Sequence, residues 1–136
     1  MNAAELMAKA TRAAESAALL LDDGDLDGAC NRAYYAMFDA ARAALLAAGV
    51  QTGAEVPRTH GGVISAFSLH LVKPGRVPLE LGRALNRAEE IRLVADYKGE
   101  TVDRKHAAWA VAQATTFVHA MREAVNGDSP GRENEP

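Results

Sequence analysis

Apolar residues return every three or four positions through most of this chain, the period of a helix with one buried face. Residues 3–21 carry Leu6, Ala10, Ala13, Ala17 and Leu20 at that spacing. Asp22-Asp23-Gly24-Asp25 closes the stretch, since Gly24 can take a left-handed cap and Asp25 or Asp27 can cap the next helix. So short a connection predicts two antiparallel neighbours. The second helix runs from about Leu26 to Ala48 and stops at Gly49. On it Ala29, Ala33, Ala36, Ala40 and Ala44 stack into a seam without bulk, along which another helix can come close. Cys30, Tyr34, Met37, Ala41 and Leu45 form an apolar stripe beside the seam. The remaining arc holds Arg32, Tyr35, Asp39 and Arg42 at steps of three and four, which by itself reads as a solvated face with an Asp39–Arg42 pair.

Residues 49–58 have no period and read as a loop. Thr59 is a suitable N-cap for a shorter third helix through Leu71, with Val63, Phe67 and Leu71 facing inward. Lys73-Pro74-Gly75 is a turn, and a fourth helix over about 79–97 starts just after Pro78. Gly99 and Glu100 interrupt the pattern. Thr101 or Asp103 then caps a fifth helix reaching about Val125, with Ala107, Ala110, Ala114, Phe117, Val118 and Met121 on its inner face. Trp109 falls on another side, where it can meet a second subunit or cover a gap in its own. There is no internal repeat and no alternation long enough for a strand. The expectation is an all-α, up-and-down bundle of four to five helices in one domain, residues 1–126, with residues 127–136 a disordered polar tail.

Composition agrees. Alanine dominates the apolar fraction, and 136 residues suffice to bury a core without disulfides or metal. The single cysteine, Cys30, reads as a small buried hydrophobe. No leading run resembles a signal peptide and no stretch approaches the roughly 20 apolar residues of a membrane span, so the expected compartment is the cytoplasm. The net charge of −3 argues against an extended nucleic-acid footprint. Residues 1–57 hold four basic side chains against eight acidic ones, and residues 58–92 hold six against three. That second group can accept phosphate if the fold gathers it, although solvated helix faces explain the same count.

The fourth helix carries the main anomaly. Its apolar stripe is Leu81, Ala84, Leu85, Ala88, Ile91 and Ala95, and Arg92 projects inside that stripe. Arginine is almost never fully buried unless paired, and Glu89 and Asp96 stand three residues before and four after it, with Tyr97 next. Such a cluster can bind phosphate or ribose, can orient a reacting hydroxyl, or can be an ion pair that fixes helix register. No two of the four histidines have the i, i+4 spacing of a helical metal site, so no metal and no cofactor is expected. His60, in Arg58-Thr59-His60-Gly61-Gly62, sits at a helix start that can offer backbone N–H groups to an anion, a weak signal. No Walker loop, dinucleotide fingerprint, nucleophile elbow or zinc-protease pattern occurs.

Three blocks, Asn31-Arg32-Ala33-Tyr34-Tyr35-Ala36-Met37-Phe38, Thr59-His60-Gly61-Gly62-Val63-Ile64 and Leu85-Asn86-Arg87-Ala88 leading to Arg92 and Ala95-Asp96-Tyr97, resemble the HEPN family of higher eukaryote and prokaryote nucleotide-binding domains, most closely its stand-alone prokaryotic subgroup. The resemblance covers about residues 5–125. It implies a helical bundle that pairs into homodimers and works beside a minimal nucleotidyltransferase, as toxin and antitoxin. It also implies a metal-independent ribonuclease, whose motif is an arginine, four to six intervening residues and a histidine. Arg92 takes the arginine position here, but after four intervening residues stands Tyr97, and the next histidine is His106. A tyrosine is a poor base at neutral pH.

Two readings follow from the resemblance. In the first, the protein cleaves RNA, with Arg92 holding phosphate and Tyr97, Asp96 or a supplied histidine assisting as catalytic residues, and Arg32, Tyr35, Asp39, Arg42 and Glu89 binding RNA or nucleotide across the cleft. In the second, it is a non-catalytic dimer that binds nucleotide, RNA or the transferase through the same groove, and Tyr97 or Tyr35 can be a substrate for nucleotidylation. A plainer third reading leaves the Arg92 cluster purely structural.

Overall fold

A computed structural model of the chain describes residues 1–50, 59–97 and 101–127. Within these, helices α1 (Ala3–Asp23), α2 (Leu26–Ala47), α3 (His60–Phe67), α4 (Leu79–Tyr97) and α5 (Arg104–Gly127) form an all-α bundle, and no strand occurs among the described residues. Residues 51–58 of the loop expected over 49–58, the break at Gly99–Glu100 and the tail from 128 lie outside them.

The boundaries follow capping chemistry. Asn2 and Glu5 make a reciprocal capping box at the start of α1. Gly24, at φ 88°, ends the helix and donates its N–H to the carbonyls of Leu20 and Leu21. Asp25 accepts from the N–H of Gly28 at 2.9 Å, and a Cβ at 28 would make the Asp25 carboxylate shift from this position. Asp27, the alternative cap, is engaged elsewhere. It accepts the N–H of Val102 at 3.0 Å and ties the approach to α5 onto the start of α2. Thr59 caps α3 through the N–H of Gly62, and Asp103 caps α5 through the N–H of His106.

Three features depart from expectation. The last turn of the third helix, Ser68–Val72, widens to π geometry, carrying Leu71 inward. Helix α5 extends through Gly127, so the first residue assigned to the tail is helical. The polar arc of α2 is not a solvated face throughout, because Asp39 is buried.

Helix α2 lies at the centre and packs against α1, α3, α4 and α5, with α1 as its most extensive partner. All five alanines of its seam are buried, as are Cys30, Tyr34, Met37, Ala41 and Leu45. Burial, with help from Asp27, Asp96 and Asp103, pushes the Cys30 thiol up to about 11. The inner faces foreseen for α4 and α5 are buried apart from Ala95, which is half-buried. Phe67 meets Phe117 with ring centroids 5.4 Å apart, and Trp109 lies half-buried against the core of its own chain. No helix among the described residues is long and apolar enough to cross a membrane.

A seam this tight leaves no room for added methylenes. Ala33→Leu is expected to lose about 1–3 kcal/mol in urea unfolding at unchanged m-value. Ala112→Leu, on the exposed side of α5, should stay within about 0.5 kcal/mol. Equal midpoints for the two variants would refute close approach along the seam.

Candidate functional site

The site forms where the first half of α2 faces the second half of α4. Arg92 projects from the apolar stripe of α4 and is 3% exposed. Its guanidinium lies 5.0 Å from the ring centre of Tyr34, 5.8 Å from that of Tyr35 and 5.7 Å from that of Tyr97. Cations sit well over aromatic faces, more so when desolvated. Nη1 donates to Asp96 at a long 3.4 Å, and Nη2 stands 3.8 Å from Glu89, an ion pair beyond hydrogen-bond reach. Nε has no partner among the described residues. Burial opposes the charge, but Tyr35, Asp96 and Tyr34 outweigh it, and the guanidinium pKa is raised. It is therefore a permanent cation with five N–H donors and one weak hydrogen bond.

The α2 residues complete the wall. Asn31 donates to Asp96 at 3.1 Å and accepts from Nε of Arg32 at 3.3 Å. Arg32 in turn lies 5.3 Å from the Tyr35 ring centre. Tyr34, fully buried, donates its hydroxyl to Glu89 at 3.1 Å and meets Nδ1 of His60 at 2.8 Å. Burial first, then the Glu89 carboxylate and its hydrogen bond, push the Tyr34 hydroxyl far above its ordinary range, with Arg92 opposing. Tyr97 stays 72% exposed and covers the guanidinium from the end of α4.

Of the residues singled out from sequence, Arg92, Asp96, Tyr97, Glu89, Arg32 and Tyr35 thus meet. Asp39 and Arg42 do not join the Arg92 cluster. They turn toward α1 and line an open groove of about 500 Å³ with Lys9, Arg12, Arg32 and Tyr35. All four basic residues of positions 1–57 border this groove. The surplus over 58–92 does not gather in the same way: Lys73, Arg76, Arg83 and Arg87 lie on exposed faces, and Arg87 pairs with Glu90. Arg58 lies outside the described residues. At the groove floor Asp39 is 5% exposed; burial raises its carboxyl pKa, while Lys9, Arg42 and Arg32 pull it down by less. Nε of Arg42 is buried without a partner among the described residues.

Tyr34 is a contributor that the sequence placed only in the core, and His60 one that it marked only as a weak anion-binding helix start. Tyr34 belongs by spacing to the apolar stripe, and His60 lies 26 positions away on another helix. Both fall in the blocks that carry the family resemblance, which was the available signal. Among the described residues no three His, Cys, Asp or Glu side chains converge as a metal site would require.

The HEPN domain profile matches residues 3–124. UPF0332 protein glr0978 of Gloeobacter violaceus is 36% identical over 88% of this chain and 92% of its own length. A UPF0332 protein of Thermotoga maritima is 41% identical over 70% of this chain and 67% of its own. A third relative, "Putative toxin MJ0605" of Methanocaldococcus jannaschii, is 32% identical over 81% of this chain and 79% of its own. The profile spans α1 to the last turn of α5 and so takes in both the Arg92 cluster and the basic groove: the chain belongs to the HEPN domain family.

Proposed function

We propose that this protein is a HEPN toxin-type component that acts on RNA, as a metal-independent ribonuclease working in pairs and held in check by a minimal nucleotidyltransferase. The observation that carries the reading is the state of Arg92. A buried cation with unused donors is costly where nothing accepts from it, and a phosphate oxygen is the acceptor that fits a planar guanidinium fork. Its aromatic surround removes water and strengthens the attraction to an oxyanion. Arg92 would hold the scissile phosphate while a neighbouring group moves protons at the 2′-hydroxyl and the leaving oxygen. Tyr97, exposed and beside the guanidinium, suits stacking on a base better than proton transfer at neutral pH. The basic groove continues from Arg32 toward Arg42, Lys9 and Arg12, and favours a strand with several phosphates over a single nucleotide. The name of the Methanocaldococcus relative supports a toxin-like role.

One observation favours the non-catalytic alternative. Tyr97 stands where the ribonuclease motif has histidine, and its exposure leaves the hydroxyl open to a partner. In that reading the nucleotidyltransferase transfers a nucleotidyl group to the Tyr97 oxygen with loss of the phenolic proton and release of pyrophosphate.

Purified protein in EDTA should cleave RNA, and Arg92→Ala should slow cleavage roughly 100- to 1,000-fold, the effect of removing one preorganised charge-stabilising donor. Equal rates in the two, or none in either, overturn the ribonuclease reading. Replacing Lys9 and Arg12 together by alanine should weaken binding of a single-stranded oligonucleotide and flatten the dependence of log affinity on log salt by about 1.4; an unchanged slope removes the groove from the interface. Asp39→Asn tests the groove floor through stability. A carboxyl with a raised folded-state pKa contributes most below its unfolded pKa, and the contribution is lost as pH rises through the folded one. Asp39→Asn should therefore be more stable than wild type at neutral pH, with the advantage shrinking on acidification, as read by denaturation midpoints across pH.

A further inference from the structure

We propose that His60 is the proton acceptor of the Arg92 site. A relay from Nδ1–H of His60 to the Tyr34 oxygen, and from the Tyr34 hydroxyl to Oε2 of Glu89, holds the ring as its Nδ1–H tautomer and leaves Nε2 free to take a proton. The chemical role rests on the ribonuclease reading; the relay itself does not.

The proton positions follow from counting donors. Tyr34 Oη stands 2.8 Å from Nδ1 of His60 and 3.1 Å from Oε2 of Glu89, whereas His60 and Glu89 are 4.0 Å apart, too far for a direct hydrogen bond. The phenol has one proton to give, and its strongly raised pKa keeps that proton on it. Glu89, with Arg92 at 3.8 Å, is a carboxylate and can only accept. Were the phenol proton directed at His60 instead, the Tyr34 and Glu89 oxygens would face each other at 3.1 Å with no hydrogen between them. Tyr34 is fully buried, so no solvent can relieve that contact. The hydroxyl therefore goes to Glu89, and Nδ1 of His60 must be the donor to Tyr34. A neutral imidazole protonated at Nδ1 has its lone pair at Nε2.

Placement suits the role. The His60 ring is held against Phe38, Tyr35 and Tyr34 with centroids 4.9, 5.7 and 5.4 Å apart. Its side chain is still 38% exposed, and Nε2 makes no hydrogen bond among the described residues. Beside it, a Cβ at Gly61 would meet no atom of the described residues within 4 Å. The groups facing the ring are Tyr34, Tyr35 and Phe38 from α2 and Glu89 from α4. In the reaction, Nε2 takes the proton of the 2′-hydroxyl as that oxygen bonds to phosphorus. The bond from phosphorus to the 5′-oxygen breaks, and the imidazolium returns the proton to that oxygen. The products are a 2′,3′-cyclic phosphate and a free 5′-hydroxyl, and His60 ends as it began.

Long-range ¹H–¹⁵N correlation of the histidine rings in the full-length protein reads the tautomer directly, without substrate. His60 should show the Nδ1–H pattern, and both Tyr34→Phe and Glu89→Gln should shift it toward the Nε2–H form that free histidine favours. An Nε2–H pattern in wild type, or one that neither variant moves, overturns the proposal. In cleavage assays His60→Ala should lose roughly 100- to 10,000-fold, the usual range for general acid–base catalysis, with partial recovery on adding imidazole. Full activity in His60→Ala overturns the proton-acceptor role. A wild type with the Nδ1–H tautomer but no cleavage upholds the relay and refutes the ribonuclease reading instead.

Discussion

The structure depends on how closely helices can approach α2. A chain with few aromatic residues has little bulk with which to fill gaps between widely spaced helices. Alanine answers this by removing the gaps: thirteen of the 22 residues of α2 are buried, seven of them alanines on its several faces. Small residues on α1, among them Ala10, Ala13, Ala14 and Ala17, meet α2 in the same way. Dispersion contacts over short distances then replace the large side chains that other cores use. Three of its rings, Tyr34, Tyr35 and Phe38, are thereby free to collect around His60, and the two tyrosines back the guanidinium of Arg92. A tight scaffold and a ring-lined site are two results of one distribution of side-chain volume.

That region is electrostatically unbalanced in a way an exposed ion pair is not. Exposed pairs such as Arg87–Glu90 are loosely held in water and contribute little. Arg92 is out of water, yet its carboxylate partners stand at 3.4 and 3.8 Å and Nε is left over. A buried pair serving stability alone would close these distances and use its donors. Tyr34 joins the two halves of the site, because its ring faces the guanidinium while its hydroxyl links Glu89 to His60. Charge held on α4 is in this way coupled to a ring carried by α3.

Much of the scaffold was legible in the sequence because its determinants are local. Gly24, Asp25, Thr59 and Asp103 announce helix ends through chemistry within three or four residues, and the alanine seam is visible at helical spacing. Arg92 was legible as well, since a cation inside an apolar stripe contradicts its surroundings. What escaped is set by pairing across the fold. Tyr34 reads as core because its ring is core, and only its hydroxyl has another use. Asp39 and Arg42 read as a surface pair because spacing along one helix says nothing about the helix packed over them. Lys9 and Arg12 look like ordinary solvated positions until α1 is laid against α2, which brings them to Arg32 and Arg42. The widened turn at Ser68–Val72 has no signal in its residues that we can identify.

Cys30 carries a consequence of another kind. Packed in the α2 stripe, with burial and nearby carboxylates raising its thiol to about 11, it is neither a nucleophile nor a partner for an external sulfur at physiological pH. No second cysteine exists in this sequence to bridge to it. Thiol chemistry of the folded bundle is therefore closed, and a disulfide within the bundle or between two folded copies is not available to it. Control by oxidation of the thiol at its centre is closed to the folded protein, whereas its polar face, hydroxyls and imidazoles stay open to chemistry.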